Sequence, residues 1–164
     1  DLERFSRASV ILELGYFSLN ALIVGPVYMR FGRSAVPVIN DNADYKFEIG
    51  KGILLKEGKD VTIIATGVCV CEALKAAEAL AADGIDAEVI NIHTIKPLDK
   101  DLVLKSAKKT GKVVTVEEHS VIGGLGSAVA DVLAETGVAT LKKIGVQDVF
   151  GESGTASLDR KSVV

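Results

Sequence analysis

The sequence predicts an α/β domain in three layers, with a mostly parallel sheet carrying helices on both faces. Three observations carry this expectation. Short β-branched apolar runs recur from residue 61 onward. Stretches of strong helix formers alternate with them. Glycines mark the joints, at Gly67, Gly84, Gly111 and Gly137. Strands alternating with helices of roughly 10–15 residues make β-α-β crossovers, whose fixed hand lays helices over a parallel sheet.

The elements follow in order. VTIIAT at 61–66 is a buried strand ended by Gly67. EALKAAEALAAD at 72–83 is a helix whose Leu74, Ala77, Leu80 and Ala81 form one apolar stripe, with Gly84 just past its end. IDAEVINI at 85–92 is a second strand and HTIKP at 93–97 a loop. Asp99 then caps a helix over 100–109, where Lys105, Lys108 and Lys109 complement the macrodipole before Gly111 stops it. KVVTVEE at 112–118 is the third strand, and HSVIGGLG at 119–126 is the loop behind it. A helix over 127–136 ends at Gly137, and a fourth strand runs from 139 to 146.

Upstream the pattern changes. EIGKGILLKEG at 48–58, with Gly50, Gly52 and Gly58, reads as a lead-in strand or hairpin. PVYMRFGRSAVPVI at 26–39 alternates apolar and basic residues between prolines, like an extended segment leaving another domain. The domain boundary is placed near Asn40. This gives residues 1–24 as unassigned, with a non-native origin left open, 25–40 as a linker or remnant, and 41–164 as the α/β domain.

Composition narrows the function classes. The chain has 164 residues, 48% hydrophobic and 25% charged, with a net charge of -3. That suits one ordinary domain, large enough to hold a core without disulfides or metal, and it excludes disorder. With 22 acids to 19 bases and no Lys/Arg block, no nucleic-acid footprint is present. Cys69 and Cys71 are the only cysteines, so there is no disulfide framework and a cytoplasmic setting is expected. His93 and His119 are the only histidines, too few for a recognisable zinc set. The most apolar stretch, residues 9–24, is shorter than the ~20 residues of a span and carries Glu13 and Asn20. With Glu3 in its flank it is no clean signal peptide either, and no membrane contact is expected. The first residue is Asp1, so the expectation is a cut or processed fragment.

The carboxyl ends of the strands, at 66–67, 93–96, 117–126 and 147–151, form the expected functional edge. Gly123, Gly124 and Gly126 open a helix. Read from Gly124 they give G-x-G-x-x-V, with Asp148 some 22 residues past Gly126, near the dinucleotide-fingerprint distance. The loop at 119–122 separates strand from glycines, and the competing reading is close approach of the helix start to another backbone. Glu117, Glu118 and His119 are the one dense ionisable group at a strand end and suit acid–base work. Adjacent strand residues face opposite ways, so the two glutamates do not readily share a site. A solvated strand end or a contact with a partner domain is the alternative.

His93 reads as a surface loop histidine. Cys69 and Cys71 stand at a helix start, where a thiol pKa can fall, but without C-x-x-C spacing they read as small buried hydrophobes. Arg30 and Arg33 have the forked guanidinium that matches phosphate, although residues three apart on an extended strand face opposite ways, so at most one enters a given site.

Taken in order, PVYMRFGRSAVPVI, VTIIATG, NIHTIKPLD, VVTVEEHSVIGGLGSAV and VQDVFGESG resemble the carboxy-terminal part of transketolases. The likeness runs from Gly25 to Gly154, about four fifths of the chain, and is greatest to the forms whose two halves are separate chains. Deoxyxylulose phosphate synthase and the beta subunit of pyruvate dehydrogenase have similar last domains; HTIKPLD with EEHSVIGGLG favours transketolase.

The resemblance implies a thiamine-diphosphate and Mg²⁺ enzyme of the pentose phosphate pathway. Such enzymes move a glycolaldehyde unit from a ketose phosphate to an aldose phosphate. Their cofactor lies between two other domains, across a dimer interface. The family's metal motif, G-D-G followed later by Asn, is absent here, and almost all of the pyrimidine-binding middle domain, with its activating glutamate, is missing. The resemblance therefore implies no cofactor on this chain alone, an architectural role without catalytic residues, an amino-terminal half as partner, and a homodimer.

Arg33, four residues before Pro37, matches the arginine that grips the sugar phosphate in the complete enzyme. The strand ends, above all 117–126, are expected to face the neighbouring domain or subunit. Two departures stand out: residues 1–24 do not look like the end of the middle domain, and ASLDRKSVV is shorter than the usual closing helix. An alternative of another class is a stand-alone module that holds an anion or a partner at the glycine-started helix. A third, a nucleotide-dependent oxidoreductase, predicts NAD(H) binding, and none is expected.

Overall fold

The computed structural model describes residues 37–39 and 45–150. The chain divides into units Asp1–Ala35 and Val36–Val164, and the described residues all belong to the second. Arg30, Arg33 and the segment 1–24 lie outside them.

Among the described residues the order is β1 (Ile53–Lys56), β2 (Val61–Ala65), α1 (Cys69–Ala82), β3 (Ala87–Asn91), α2 (Lys100–Thr110), β4 (Lys112–Ser120), α3 (Leu125–Ala134) and β5 (Thr140–Val146). The strands form one sheet in the order β1-β3-β2-β4-β5. All neighbours run parallel except β1, which lies antiparallel along β3. The predicted α/β class, mostly parallel with helices on both faces, is therefore the observed one.

Alternation along the strands builds two cores. Ile63, Ala65, Ala87 and Val89 face α1 and meet its Val70, Ala73 and Ala77. Ile64, Ile90, Ile92 and Val113 face the other way, against Val103 and Ala107 of α2 and Leu125, Val129, Val132 and Leu133 of α3. β3 is buried along its whole length, as expected of a parallel strand covered on both faces. β2 and β4 are neighbours, yet β2 leads into α1 on one face and β4 into α3 on the other. In open α/β sheets such a reversal marks the crevice where ligands and partners are met.

One open alternative is settled and three boundaries differ from expectation. The segment 48–58 forms a single edge strand, not a hairpin, because β1 pairs with the distant β3. α1 starts at Cys69, earlier than residue 72, and no side chain caps it. β4 continues to Ser120 because, beyond an irregularity after Val116, it pairs again with Val146. α3 starts at Leu125 rather than 127, for a reason that lies in the site. The capping of α2 is as predicted: Asp99 Oδ1 accepts from the Leu102 amide at 3.2 Å, and Gly111, at φ 66°, closes the helix. The other carboxylate oxygen of Asp99 accepts from the Gly52 amide at 3.0 Å, tying the lead-in segment to α2.

Candidate functional site

β4 separates its two glutamates by pleat alternation. Glu117 is 2% exposed and lies under α3, whereas Glu118 and His119 are exposed. The Glu117 carboxylate accepts from the amides of Leu125 at 2.8 Å and Gly126 at 2.7 Å. These are donors that the first turn of any helix leaves without intrahelical partners, and an anion there also meets the positive end of the macrodipole. That explains the early start of α3: its N-cap, Gly124, has no side-chain cap, and a residue from the strand supplies the acceptor.

The glycines are required by this packing. A Cβ at Gly124 would overlap the Glu117 carboxylate, and one at Gly126 would stand 2.6 Å from Cδ of Lys143 and 3.0 Å from Oγ1 of Thr115. Lys143 runs its stem past Gly126 and donates its ammonium to the Val121 carbonyl at 3.1 Å. Gly123 is exposed, and its amide donates to Oγ of Ser127 at 2.9 Å.

Two expectations are corrected by this geometry. Glu117, Gly124 and Gly126 do not form an open, anion-facing loop, because all three are buried and the helix terminus already holds the protein's own carboxylate. The dinucleotide reading fails for the same reason, since a pyrophosphate would need the amides that Glu117 occupies. The close-approach reading of the glycines was right in kind, but the neighbours are side chains rather than backbone. Glu118, His119 and Gly123 remain as the exposed members of the group.

His93 is half-buried rather than a free surface residue. Its Nε2 lies 3.1 Å from the Glu48 carbonyl, which only accepts, so the proton sits on Nε2; the ring packs on Phe47 at 4.8 Å. Nδ1 is buried without a partner among the described residues. Cys69 and Cys71 are half-buried in the first turn of α1 rather than fully buried. Among the described residues no three His, Cys, Asp or Glu side chains converge as a metal site.

The sequence reading missed two features. Glu88, fully buried in β3, is paired with Lys109 of α2 and accepts from Thr62 Oγ1 at 3.2 Å. Lys109 also reaches Glu57 at 2.9 Å. Hydrogen bonds to Glu88 first and Glu57 second hold the Lys109 pKa above the usual lysine range. A charge at Glu88, between Ala87 and Val89 in the apolar part of IDAEVINI, is the available signal. The second feature is an open groove of about 570 Å³ between the loop before α2 and the outer side of α3.

The sequence matches the family described as "Transketolase, C-terminal domain" over residues 50–163. The chain belongs to that family. It is 56% identical over 131 residues to the 6-deoxy-6-sulfo-D-fructose transketolase subunit SqwH of Clostridium sp. (strain MSTE9), covering 79% of this chain and 40% of that protein. It is 52% identical over 134 residues to the putative transketolase C-terminal section of Methanocaldococcus jannaschii, covering 80% and 42%. A solved split-gene transketolase, described as an inactive beta4 tetramer, superposes with a TM-score of 0.80 at 53% identity, over 86% of this chain and 46% of that one. Relatives named 1-deoxy-D-xylulose-5-phosphate synthase match at 41% to 45%. The transketolase-type chain thus spans about two fifths of the curated transketolase relatives it matches.

Proposed function

We propose that this chain supplies the carboxy-terminal domain of a thiamine-diphosphate-dependent transketolase and acts with an amino-terminal half, moving a glycolaldehyde unit between sugar phosphates in the cytoplasm. The observation that carries this reading is its 56% identity to a protein named as a transketolase subunit. The described residues do not fit the cofactor or its metal: no metal-binding set converges among them, and the α3 terminus that could take a phosphate is closed by Glu117. The role of this domain is architectural, and no chemical step is assigned to it.

Within that assembly, the exposed Glu118, His119 and Gly123 at the carboxyl edge meet the neighbouring domain or subunit. Arg33 holds the phosphate of the substrate in the complete enzyme. Self-association is part of the reading, supported by the relative described as a beta4 tetramer. The stand-alone anion-binding alternative loses its proposed site to Glu117. A deoxyxylulose phosphate synthase is the second reading, supported by identities of up to 45%. Among the described residues no helix is long and apolar enough to cross a membrane.

The test is reconstitution of this domain, joined behind the pyrimidine-binding domain of a split transketolase, with that enzyme's amino-terminal half, thiamine diphosphate and Mg²⁺. Two-carbon transfer from a ketose phosphate by the mixture, with none by either chain alone, is expected. Calorimetric binding of thiamine diphosphate by this chain alone would overturn the architectural role.

A further inference from the structure

We infer that the groove between the loop before α2 and the outer side of α3 is a contact for a second copy of this chain, related by a two-fold axis. This deepens the self-association part of the reading above and rests on it. The groove has an apolar floor, made by Ile95, Leu98, Ala128 and Val132. Both helices return from the carboxyl edge of the sheet, so they run side by side in the same direction. Lys96 and Lys100 therefore lie at the end where the helices begin. Asp131 and Glu135 lie further down α3, with Glu135 about 12 Å below Ser127 at 1.5 Å per residue. One end of the strip is cationic and the other anionic.

All four side chains are exposed. None takes part in the ion pairs among the described residues, which join Lys56 to Asp86, Lys75 to Glu72, and Lys109 to Glu57 and Glu88. Three of them also oppose the helices that carry them, while Lys96 stands in the loop before α2. Lys100 is the first residue of α2, at its positive end. Asp131 lies in the last turn of α3 and Glu135 just past it, at the negative end, with no basic residue in that turn. Lys100, Asp131 and Glu135 are thus each placed where their own helix disfavours them.

A two-fold axis across the strip removes both mismatches at once. It sets the lysines of one copy on the acids of the other, and the acids on the lysines, while the apolar floors meet between them. Such a self-complementary patch is what an isologous contact requires. A ligand or partner of a single charge would satisfy only one end.

The test is sedimentation velocity on the 164-residue chain and two charge reversals, Lys96→Glu with Lys100→Glu, and Asp131→Lys with Glu135→Lys. Each double variant alone should self-associate at least about tenfold more weakly, because like charges then meet across the axis. An equimolar mixture of the two should recover a mixed dimer, which also shows that both variants are folded. Undiminished association in both variants would overturn the surface assignment while leaving self-association intact. A monomeric parent chain would remove self-association itself, and reconstitution with the amino-terminal half would still report on the function separately. If the reversals weaken capture by that half and leave self-association unchanged, the groove belongs to that partner and the second-copy assignment is wrong.

Discussion

Glu117 reaches the first turn of α3 only because Gly124 has no side chain: a Cβ there would overlap the carboxylate that accepts from the amides of Leu125 and Gly126. Strand and helix are joined through a charged group in a buried place, where each hydrogen bond to the carboxylate is worth more than a neutral one.

From this coupling, Glu117→Gln should lower stability by about 1–3 kcal/mol, the range for a charge-assisted buried contact. Gly124→Ala should cost a similar amount by displacing the carboxylate. Combined with Glu117→Ala, the Gly124→Ala change should add much less than it does alone, since the group it strikes is gone. Urea unfolding of the four proteins in the cycle measures the coupling, and simple additivity would refute the link.

The Lys109 ion pair gives a pH signature. Its pKa is raised by hydrogen bonds to Glu88 and then Glu57, so the folded state keeps the proton longer than the unfolded state does. The stabilisation is complete below the unfolded lysine value of ~10.4 and is lost as pH rises through the higher folded value. Lys109→Met should flatten the fall in the urea midpoint above that pH. It should also cost on the order of 1–3 kcal/mol at neutral pH by leaving Glu88 buried without its cation. Glu57→Gln, at an exposed partner, should cost less than about 1 kcal/mol.

Asp99 serves two elements, capping α2 and accepting from Gly52. Asp99→Ala should therefore exceed an ordinary cap deletion, at roughly 2 kcal/mol, the upper end of cap losses. Amide hydrogen exchange should show faster opening both at Gly52 and in the first turn of α2. Protection lost in α2 alone would mean that the Gly52 bond contributes nothing.

In the reconstituted enzyme, Arg33→Ala should raise KM for phosphorylated substrates by about 10- to 150-fold, the equivalent of a charged hydrogen bond of roughly 1.5–3 kcal/mol. Unphosphorylated sugars should be converted as before. An unchanged KM for the phosphorylated substrates would remove Arg33 from the substrate site.

The α/β class was legible because apolar β-branched runs and helical patterns alternate from residue 61, and Asp99 and Gly111 carry ordinary end signals. The start of α3 was not, because its cap comes from a strand residue eight positions earlier rather than from a Ser, Thr, Asp or Asn beside the helix. The opposite faces of Glu117 and Glu118 followed from the pleat alone, but which face is buried depends on where α3 lies. From the sequence Lys109 serves the macrodipole alone, since nothing local shows that the helix brings it to Glu88. The groove exists only once α2 and α3 have been laid on the sheet, so no local pattern announces it.

The division between Glu117 and Glu118 makes β4 its own chemical reporter. Two carboxylates adjacent in the chain differ in access to solvent, so a carbodiimide with a water-soluble amine would tag Glu118 on the native domain and spare Glu117. Tagging of Glu117 would then time the separation of α3 from the sheet, read by peptide mass against an internal reference one residue away.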